Sequence, residues 1–387
     1  MKKNKFSVFK HRVQHLPVAL TGLSLGLAGL ATALDLILRN NINLNFSSYN
    51  AWWISIPFIS ISTIIILLIT FKHILHPKVL FFDAKNTLSS SFLPTYSMTI
   101  MCIGGFLAGW QYNIVGNETA PLQIIGAILM CIGVLIQFFF IYMFLVYVLK
   151  KHSWHLDSMY GSWFVPTVGI STASTFTGRF NSNILPLEFF QIIWFFAFVT
   201  FVILFPIITY SLLFKKQCDC EKFPSIAVNF APPNLLLASF CQSFAIPSFD
   251  NKTIFMDDKH IFVNVMLLFL ICFGIVYTFI LYIFIVRIFN NNKFDYIFAS
   301  ITFPLAIGCI ATTNVSIYLD KLDDSNPIPI INTLYETFKI LGYIFTSIAT
   351  ILILFIATRF FKKSYHILFS SKFDNDVNIC YKNNEKS

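Results

Sequence analysis

Five short hydrophobic segments, each opening with a proline and rich in Gly, Ser, Thr and Ala, recur along this chain. Their prolines are separated by 77, 72, 67 and 71 residues and are Pro17, Pro94, Pro166, Pro233 and Pro304. Such regular spacing indicates one structural unit repeated five times. Because proline removes a backbone hydrogen bond, a membrane protein keeps it mainly where the freed backbone lines a cavity. The pattern therefore predicts five similar helices around a common cavity.

Composition places the chain in the membrane. Hydrophobic residues make up 56% of the 387 residues and charged residues only 12%, whereas a soluble domain carries about a quarter charged residues. Apolar runs long enough to cross ~30 Å of hydrocarbon recur from one end to the other. We therefore predict an all-α membrane protein with one transmembrane domain, residues 16–360, between charged, flexible cytoplasmic tails at 1–15 and 361–387.

The apolar runs predict ten transmembrane helices. The odd-numbered spans, which contain the prolines, are 16–38, 94–113, 162–179, 231–246 and 296–318. The even-numbered spans, which are almost pure Phe, Ile and Leu, are 51–71, 121–149, 184–214, 260–289 and 329–358.

The distribution of basic residues orients these spans. One face of the predicted bundle collects 21 Lys and Arg residues and the opposite face collects 5. The positive-inside rule then places both termini in the cytoplasm, so all odd spans are parallel and can close into a ring. The net charge of +9 reflects this asymmetry and attraction to anionic lipid. The bilayer is therefore a predicted partner and nucleic acid is not.

The odd spans differ from the even spans in carrying small and hydroxyl side chains. Small residues allow close helix packing, and hydroxyls supply hydrogen bonds without charge. Simple packing explains one such span, but five in alternation favour a lined conduit. The predicted pore-lining residues are Thr21, Ser24, Thr95, Thr99, Thr167, Ser171, Ser239 and Thr302.

Charge is nearly absent from the odd spans, where Asp35 and Arg179 stand near the outer ends. A proton-coupled pump is hard to build without a buried carboxylate or His relay. Backbone N–H groups exposed at proline breaks would instead favour anions, as would basic residues at the cytoplasmic mouth. These features predict passive passage of small anions.

Other functional classes find less support. An intramembrane enzyme needs converging His, Asp, Glu or Cys residues within the spans, and a membrane sensor needs a sizeable soluble output domain. Cys218 and Cys220 are too close together for the usual zinc spacing and lack a second pair. The pairs His73/His76 and His152/His155 have ligand-like spacing but sit beside Lys at membrane edges, which favours interfacial residues over metal ligands. We therefore predict no catalytic residues, no metal and no cofactor.

The N-terminus has a second interpretation, as a secretory signal. A basic stretch and an apolar run lead to Ala31-Thr32-Ala33, which resembles a cleavage site. Its removal would leave nine helices and violate the charge bias, so we predict that this span is retained.

Several of the proline segments resemble one known family. The stretches are His15-Leu16-Pro17, Ser162-Trp163-Phe164-Val165-Pro166-Thr167-Val168-Gly169, Ala231-Pro232-Pro233, Thr302-Phe303-Pro304-Leu305, and the connector from His76-Pro77 to Phe92-Leu93-Pro94-Thr95-Tyr96-Ser97-Met98. They are similar to those of the tellurite-resistance/dicarboxylate transporter family, which includes the plant guard-cell slow anion channels and yeast malate and sulfite permeases. The resemblance runs from about residue 15 to residue 360.

This resemblance implies a more specific architecture and function. It implies five helical hairpins in a pseudo-five-fold arrangement, with odd helices lining a central pore, even helices outside, and a trimer with one pore per subunit. It also implies a phenylalanine that occludes the pore, and Phe303 occupies the matching position. The implied function is an anion channel or facilitator in the plasma (inner) membrane. The alternative is an exporter of dicarboxylates, sulfite or tellurite with the same fold.

Overall fold

A computed structural model describes residues 5–39, 48–85, 87–115, 121–146, 163–214, 220–245, 259–325 and 329–370. Within these ranges every regular element is helical. The α-helices are α1 (Lys5–Val13), α2 (Leu20–Arg39), α3 (Ser48–Leu75), α4 (Pro77–Lys85), α5 (Thr87–Val115), α6 (Pro121–Phe144), α7 (Phe164–Thr167), α8 (Leu187–Phe214), α9 (Ala231–Phe240), α10 (Lys259–Asn291), α11 (Ala299–Ser325) and α12 (Pro329–Phe369). The 3₁₀-helices are Val168–Arg179, Cys220–Phe230 and Tyr296–Phe298, and a π-helical turn covers Cys241–Ala245.

Eight helices of the described chain are long and apolar enough to cross a membrane: α2, α3, α5, α6, α8, α10, α11 and α12. The predicted spans 162–179 and 231–246 are not among them, so the ten-helix arrangement stays a prediction. Residues 163–179 form α7 followed by 3₁₀-helix. Residues 220–245 pass from 3₁₀-helix through α9 to a π-helical turn.

The 3₁₀ conformation lengthens these short stretches. The 12 residues of Val168–Arg179 extend about 24 Å at ~2.0 Å per residue, whereas an α-helix of the same residues would extend about 18 Å. This conformation therefore makes the stretch about 6 Å longer than an α-helix of the same residues.

Burial divides the helices into two groups. In α2, α5 and α11, between 83% and 94% of the most apolar window is buried, whereas in the other five spanning helices the share is 28–44%. Residues Val168–Thr177 and all of α9 are also buried. We call α2, α5, residues 163–179, residues 220–245 and α11 the five inner segments, and α3, α6, α8, α10 and α12 the outer helices.

The inner segments pack in cyclic order. Helix α2 contacts α5, α5 contacts residues 163–179, these contact α9, α9 contacts α11, and α11 returns to α2. Each inner segment also packs against the outer helix that follows it in the chain. The outer helices expose large apolar side chains such as Leu135 and Ile283, as a surface facing lipid requires.

Helices α2 and α11 meet through small residues. A Cβ at Gly26 would overlap the side chain of Thr302 and come within 3.1 Å of its carbonyl carbon. The Thr302 hydroxyl donates to the carbonyl of Gly22 at 3.1 Å. This close approach closes the ring of inner segments, as small residues do between membrane helices.

Two of the five prolines lie inside continuous helices, where the sequence suggested breaks. Pro94 and Pro304 lie inside the continuous helices α5 and α11. Pro17 lies in the turn before α2, where its carbonyl accepts from the Leu20 N–H at 3.2 Å. The prediction of exposed helix N-termini at proline breaks is therefore wrong at Pro94 and Pro304.

The predicted flexible tails contain ordered helix. Within 1–15, α1 is helical and Val13 is fully buried. The Arg12 guanidinium donates to the carbonyl of Leu368 at 2.9 Å, which attaches α1 to the end of α12. Helix α12 itself runs beyond the predicted boundary to Phe369.

We expect Gly26→Ala to destabilise the protein by about 1–3 kcal/mol, because the new methyl group overpacks the α2–α11 contact. The measurement is thermal unfolding of purified protein in detergent micelles. Gly308→Ala is the matched control, since its Cβ would lie 3.4 Å or more from neighbouring atoms. The control should be neutral or up to ~1 kcal/mol stabilising, as alanine is a better helix former than glycine. Equal unfolding temperatures for the two variants would contradict this account of ring closure.

Candidate functional site

All five inner segments contribute to one central cavity of about 50 Å³. The residues that line it are Gly22, Leu25, Phe92, Thr95, Met98, Phe164, Val165, Val168, Gly169, Ser225, Val228, Ala231, Pro232, Leu235, Ala299, Ser300, Phe303 and Pro304. None of these residues is charged, and nearly all are apolar. By volume the cavity holds a few water molecules, so it is a small, uncharged cavity at the centre of the ring.

Three phenyl rings from three different inner segments border this cavity: Phe92 of α5, Phe164 of α7 and Phe303 of α11. Phe303 is 9% exposed, and a Cβ at Gly29 of α2 would lie 3.9 Å from its ring. The position of Phe303 is compatible with the predicted gate, which stays a prediction. Phe92 and Phe164 each lie two residues before a segment proline, a signal that sequence reasoning did not use.

The predicted pore-lining hydroxyls are buried, but the cavity lining includes only Thr95 among them. The others bind backbone carbonyls or each other. Thr21 donates to Phe92 O, Thr99 to Thr95 O, Thr167 to Trp163 O and Thr302 to Gly22 O, while Ser24 pairs with Ser62 of α3 and Ser171 with Ser239. These hydroxyls therefore contribute to packing between and within segments, and their pore role stays a prediction.

The five prolines are distributed differently from one another. Pro304 borders the central cavity and Pro17 borders the larger cavity described next. Pro94, Pro166 and Pro233 are buried among the inner segments and line neither cavity.

A second cavity, of about 640 Å³, lies at the end of the ring where α2 begins. Phe92 borders both cavities, so we call the larger one the mouth cavity. Lys72 of α3 projects here, donating to the carbonyl of Leu16 at 2.8 Å and lying 3.3 Å from Asp83 Oδ2. Asp295 also borders it. The mouth predicted to be basic is therefore of mixed charge.

Two titratable groups of this mouth have shifted pKa values. Burial lowers the pKa of His15, and the nearby His11, Lys72 and His76 lower it further. Burial raises the pKa of Asp83, against the opposing effect of Lys72. Falling pH therefore makes the mouth more positive in two ways, by charging His15 and by neutralising Asp83.

Glutamine side chains position the third inner segment. Gln137 of α6 donates to the carbonyls of Val165 and Pro166 at 3.1 and 2.7 Å. Gln123 of α6 donates to the carbonyl of Arg179 at 2.9 Å. These contacts satisfy carbonyls of the short helix α7 and of the end of the 3₁₀-helix away from water. Sequence reasoning did not single out either residue, although amide side chains in a highly apolar outer span were an available signal.

The ring end opposite the mouth carries charge. Asp35 of α2 is fully buried and pairs with Arg39 and Arg179. The sequence placed Asp35 and Arg179 near the outer ends of their spans but did not predict their pairing.

No metal cluster of three or more His, Cys, Asp or Glu side chains occurs in the described ranges. The His76 ring lies 2.9 Å from the carbonyl of Lys10. His152, His155 and Cys218, which the sequence suggested as possible ligands, lie outside the described residues.

The family model of the voltage-dependent anion channels matches residues 15–361, which include every inner segment and every outer helix except the last eight residues of α12. The chain belongs to this family. The match confirms the family resemblance that the proline segments indicated, over nearly the same range. A comparison with curated proteins found no match. For this family member, the narrow uncharged cavity and the charged groups at either end of the ring are the features on which anion passage can depend.

We expect anion flux through the protein in liposomes to rise severalfold as pH falls below 6.5, because the mouth gains positive charge and concentrates anions. Because its pKa is lowered, His15 becomes positively charged only at a lower pH than an ordinary histidine does. His15→Gln should therefore reduce the increase. His366→Gln, at an exposed histidine of α12, is the control and should respond as the native protein does. An unchanged pH profile in the His15 variant would refute this role.

Proposed function

We propose that this protein passes small inorganic or organic anions across a membrane along the axis of the five inner segments. The observation that carries the proposal is the central cavity, to which every inner segment contributes and which no charged side chain borders. A buried charge there would bind or exclude ions strongly, whereas an uncharged passage lets weakly held ions move on. Membership of an anion channel family supports anions as the cargo.

Preference for anions arises at the ends of the ring in this proposal. The ring end opposite the mouth holds two guanidinium groups against one carboxylate. The mouth cavity is bordered by Lys72 and His15 but also by Asp83 and Asp295, so it becomes positive only as falling pH charges His15 and neutralises Asp83. Positive charge at the openings raises the local anion concentration, while the cavity between them is neutral.

The overall arrangement is part of the proposal. Ten membrane-crossing segments would form five hairpins, each an inner segment with the following outer helix, in pseudo-five-fold order. The cyclic packing of the inner segments supports this reading, and the 3₁₀ conformation supplies the length that residues 163–179 need. The excess of basic residues on one face supports cytoplasmic termini in a plasma membrane. A homotrimer with one pore per subunit is proposed from the family resemblance alone.

We further propose that Phe303 gates the passage. An aromatic ring at a narrow, apolar constriction blocks ions by its size and by excluding water. Phe303 stands against α2 at the cavity that all inner segments share. Phe92 and Phe164 border the same cavity, so the barrier is built from three rings.

We expect Phe303→Ala to raise anion flux in liposomes at least severalfold, because removing the ring widens and wets the constriction. Chloride efflux measured with an ion-selective electrode gives the comparison. Phe138→Ala, at an exposed phenylalanine of α6, is the matched control and should leave the flux unchanged.

Loss of a buried phenyl ring costs about 3–5 kcal/mol, so thermal unfolding must accompany the flux measurement. Phe303→Leu, which keeps more of the buried volume, provides a second variant with an intermediate flux. A folded Phe303→Ala protein with native flux would show that Phe303 is not the gate.

The range of anions separates the main proposal from its alternative, an exporter of dicarboxylates, sulfite or tellurite. A flux panel of chloride, nitrate, sulfite, malate and tellurite tests both. Fast passage of the small monovalent anions supports the channel or facilitator. Passage restricted to malate, sulfite or tellurite supports the exporter, and cation passage without anion passage would overturn both.

A further inference from the structure

At the ring end opposite the mouth, one carboxylate pairs with two guanidinium groups. Asp35 Oδ1 lies 2.7 Å from Arg39 Nε, and Asp35 Oδ2 lies 2.9 Å from Arg179 Nη2. The Asp35 side chain is fully buried, and those of Arg39 and Arg179 are 16% and 12% exposed. Three ionised groups thus share a nearly water-free environment with a net charge of +1.

The three side chains join two inner segments that are not neighbours in the ring. Asp35 and Arg39 belong to α2, and Arg179 ends the third inner segment, with α5 between them in cyclic order. Arg179 reaches across α5 at Gly109, where a Cβ would lie 2.8 Å from Arg179 Cδ. Any larger residue at position 109 would obstruct this path, so the glycine provides the space through which Arg179 reaches Asp35.

Aromatic rings hold both guanidinium groups in place. The Arg39 guanidinium carbon lies 5.0 Å from the ring centre of Trp52, and that of Arg179 lies 5.5 Å from the ring centre of Phe176. Trp52 is itself stacked on Trp110 of α5 at 5.4 Å. Both cations are therefore positioned before any ligand arrives.

Each guanidinium group keeps an unused donor. Arg39 Nη2 and Arg179 Nη1 are buried and have no hydrogen-bond partner among the described residues. A buried N–H group of a cation without an acceptor is costly. Asp35 already accepts from both arginines, so within the described part of the chain one positive charge and these two donors are uncompensated.

We infer that Arg39 and Arg179 together bind a small anion of halide or nitrate size at this end of the ring. The anion accepts from the two unused N–H groups and neutralises the excess charge, while Asp35 keeps the site from holding it too tightly to release. This inference rests on the proposed function, because the site would supply the selection for anions that the uncharged cavity lacks. Its binding test does not depend on transport.

Crystals of the purified protein grown in bromide test the binding directly. An anomalous-scattering peak within hydrogen-bonding distance of both Arg39 Nη2 and Arg179 Nη1 is the expected result. The absence of a peak there, with the cluster well ordered, would overturn the inference whether or not the protein transports anions.

Charge variants test the same site through the bromide concentration that gives half-maximal flux. Arg39→Gln leaves Asp35 paired with Arg179 and should raise that concentration about ten-fold, the effect of losing one charge-assisted hydrogen bond. Arg39→Lys, which keeps the charge but not the planar donor group, should fall between it and the native protein. Asp35→Asn increases the positive charge and should lower the concentration. Lys321→Gln removes an exposed cation near the end of α11 and should change nothing.

The direction of these shifts separates an anion site from a purely structural ion pair. Arg39→Gln and Asp35→Asn shifting the concentration the same way, or Arg39→Gln matching the native protein, would overturn the inference. A native protein that passes no anion would refute the proposed function instead, and the bromide peak would still decide the site.

Discussion

In hydrocarbon every backbone donor and acceptor has to find a partner within the protein, and this requirement shapes the third and fourth inner segments. Their backbone is partly 3₁₀- and π-helical, and the outer helices lend side chains to it. Gln137 serves the carbonyls of Val165 and Pro166. Trp194 of α8 donates to Leu236 O, and Gln191 to Ser243 O. The outer helices therefore do more than shield the ring from lipid, because they also stabilise its irregular segments.

The same requirement explains why few polar groups line the central cavity. Thr21, Thr95 and Thr302 donate to carbonyls of their own or neighbouring segments, and those bonds fix the spacing between helices. The central cavity is left with apolar walls, and charge is found at the two ends of the ring. In the function proposed here, attraction of an ion and resistance to its passage thus belong to different parts of the molecule.

How far the sequence predicts this structure depends on which signal each part carries. The length of the apolar runs predicts the outer helices well, since these helices need little more than an apolar surface. They are α3, α6, α8, α10 and α12. The length of the runs does not reveal that residues 168–179 adopt 3₁₀-helix, whose last carbonyl, that of Arg179, accepts from Gln123 of α6 in a contact between positions far apart in the sequence. Composition likewise identifies hydroxyl-rich spans but not the direction in which Ser24 or Thr99 points. The pairing of Asp35 with Arg179 joins positions 144 residues apart, which a single sequence does not show.

Closure of the ring has a consequence for biosynthesis. The Thr302 hydroxyl reaches the carbonyl of Gly22 across 280 residues of chain, so the first inner segment meets its last neighbour only when synthesis is nearly finished. At ~5–20 residues per second, α2 waits roughly 14 to 56 s in the bilayer with its Gly22-Gly26-Gly29 face uncovered. That face is narrow and uncharged, which suits a helix that must remain stable in lipid before α11 arrives. The assembly order of this protein is thus set by the distance along the chain between the two sides of a single seam.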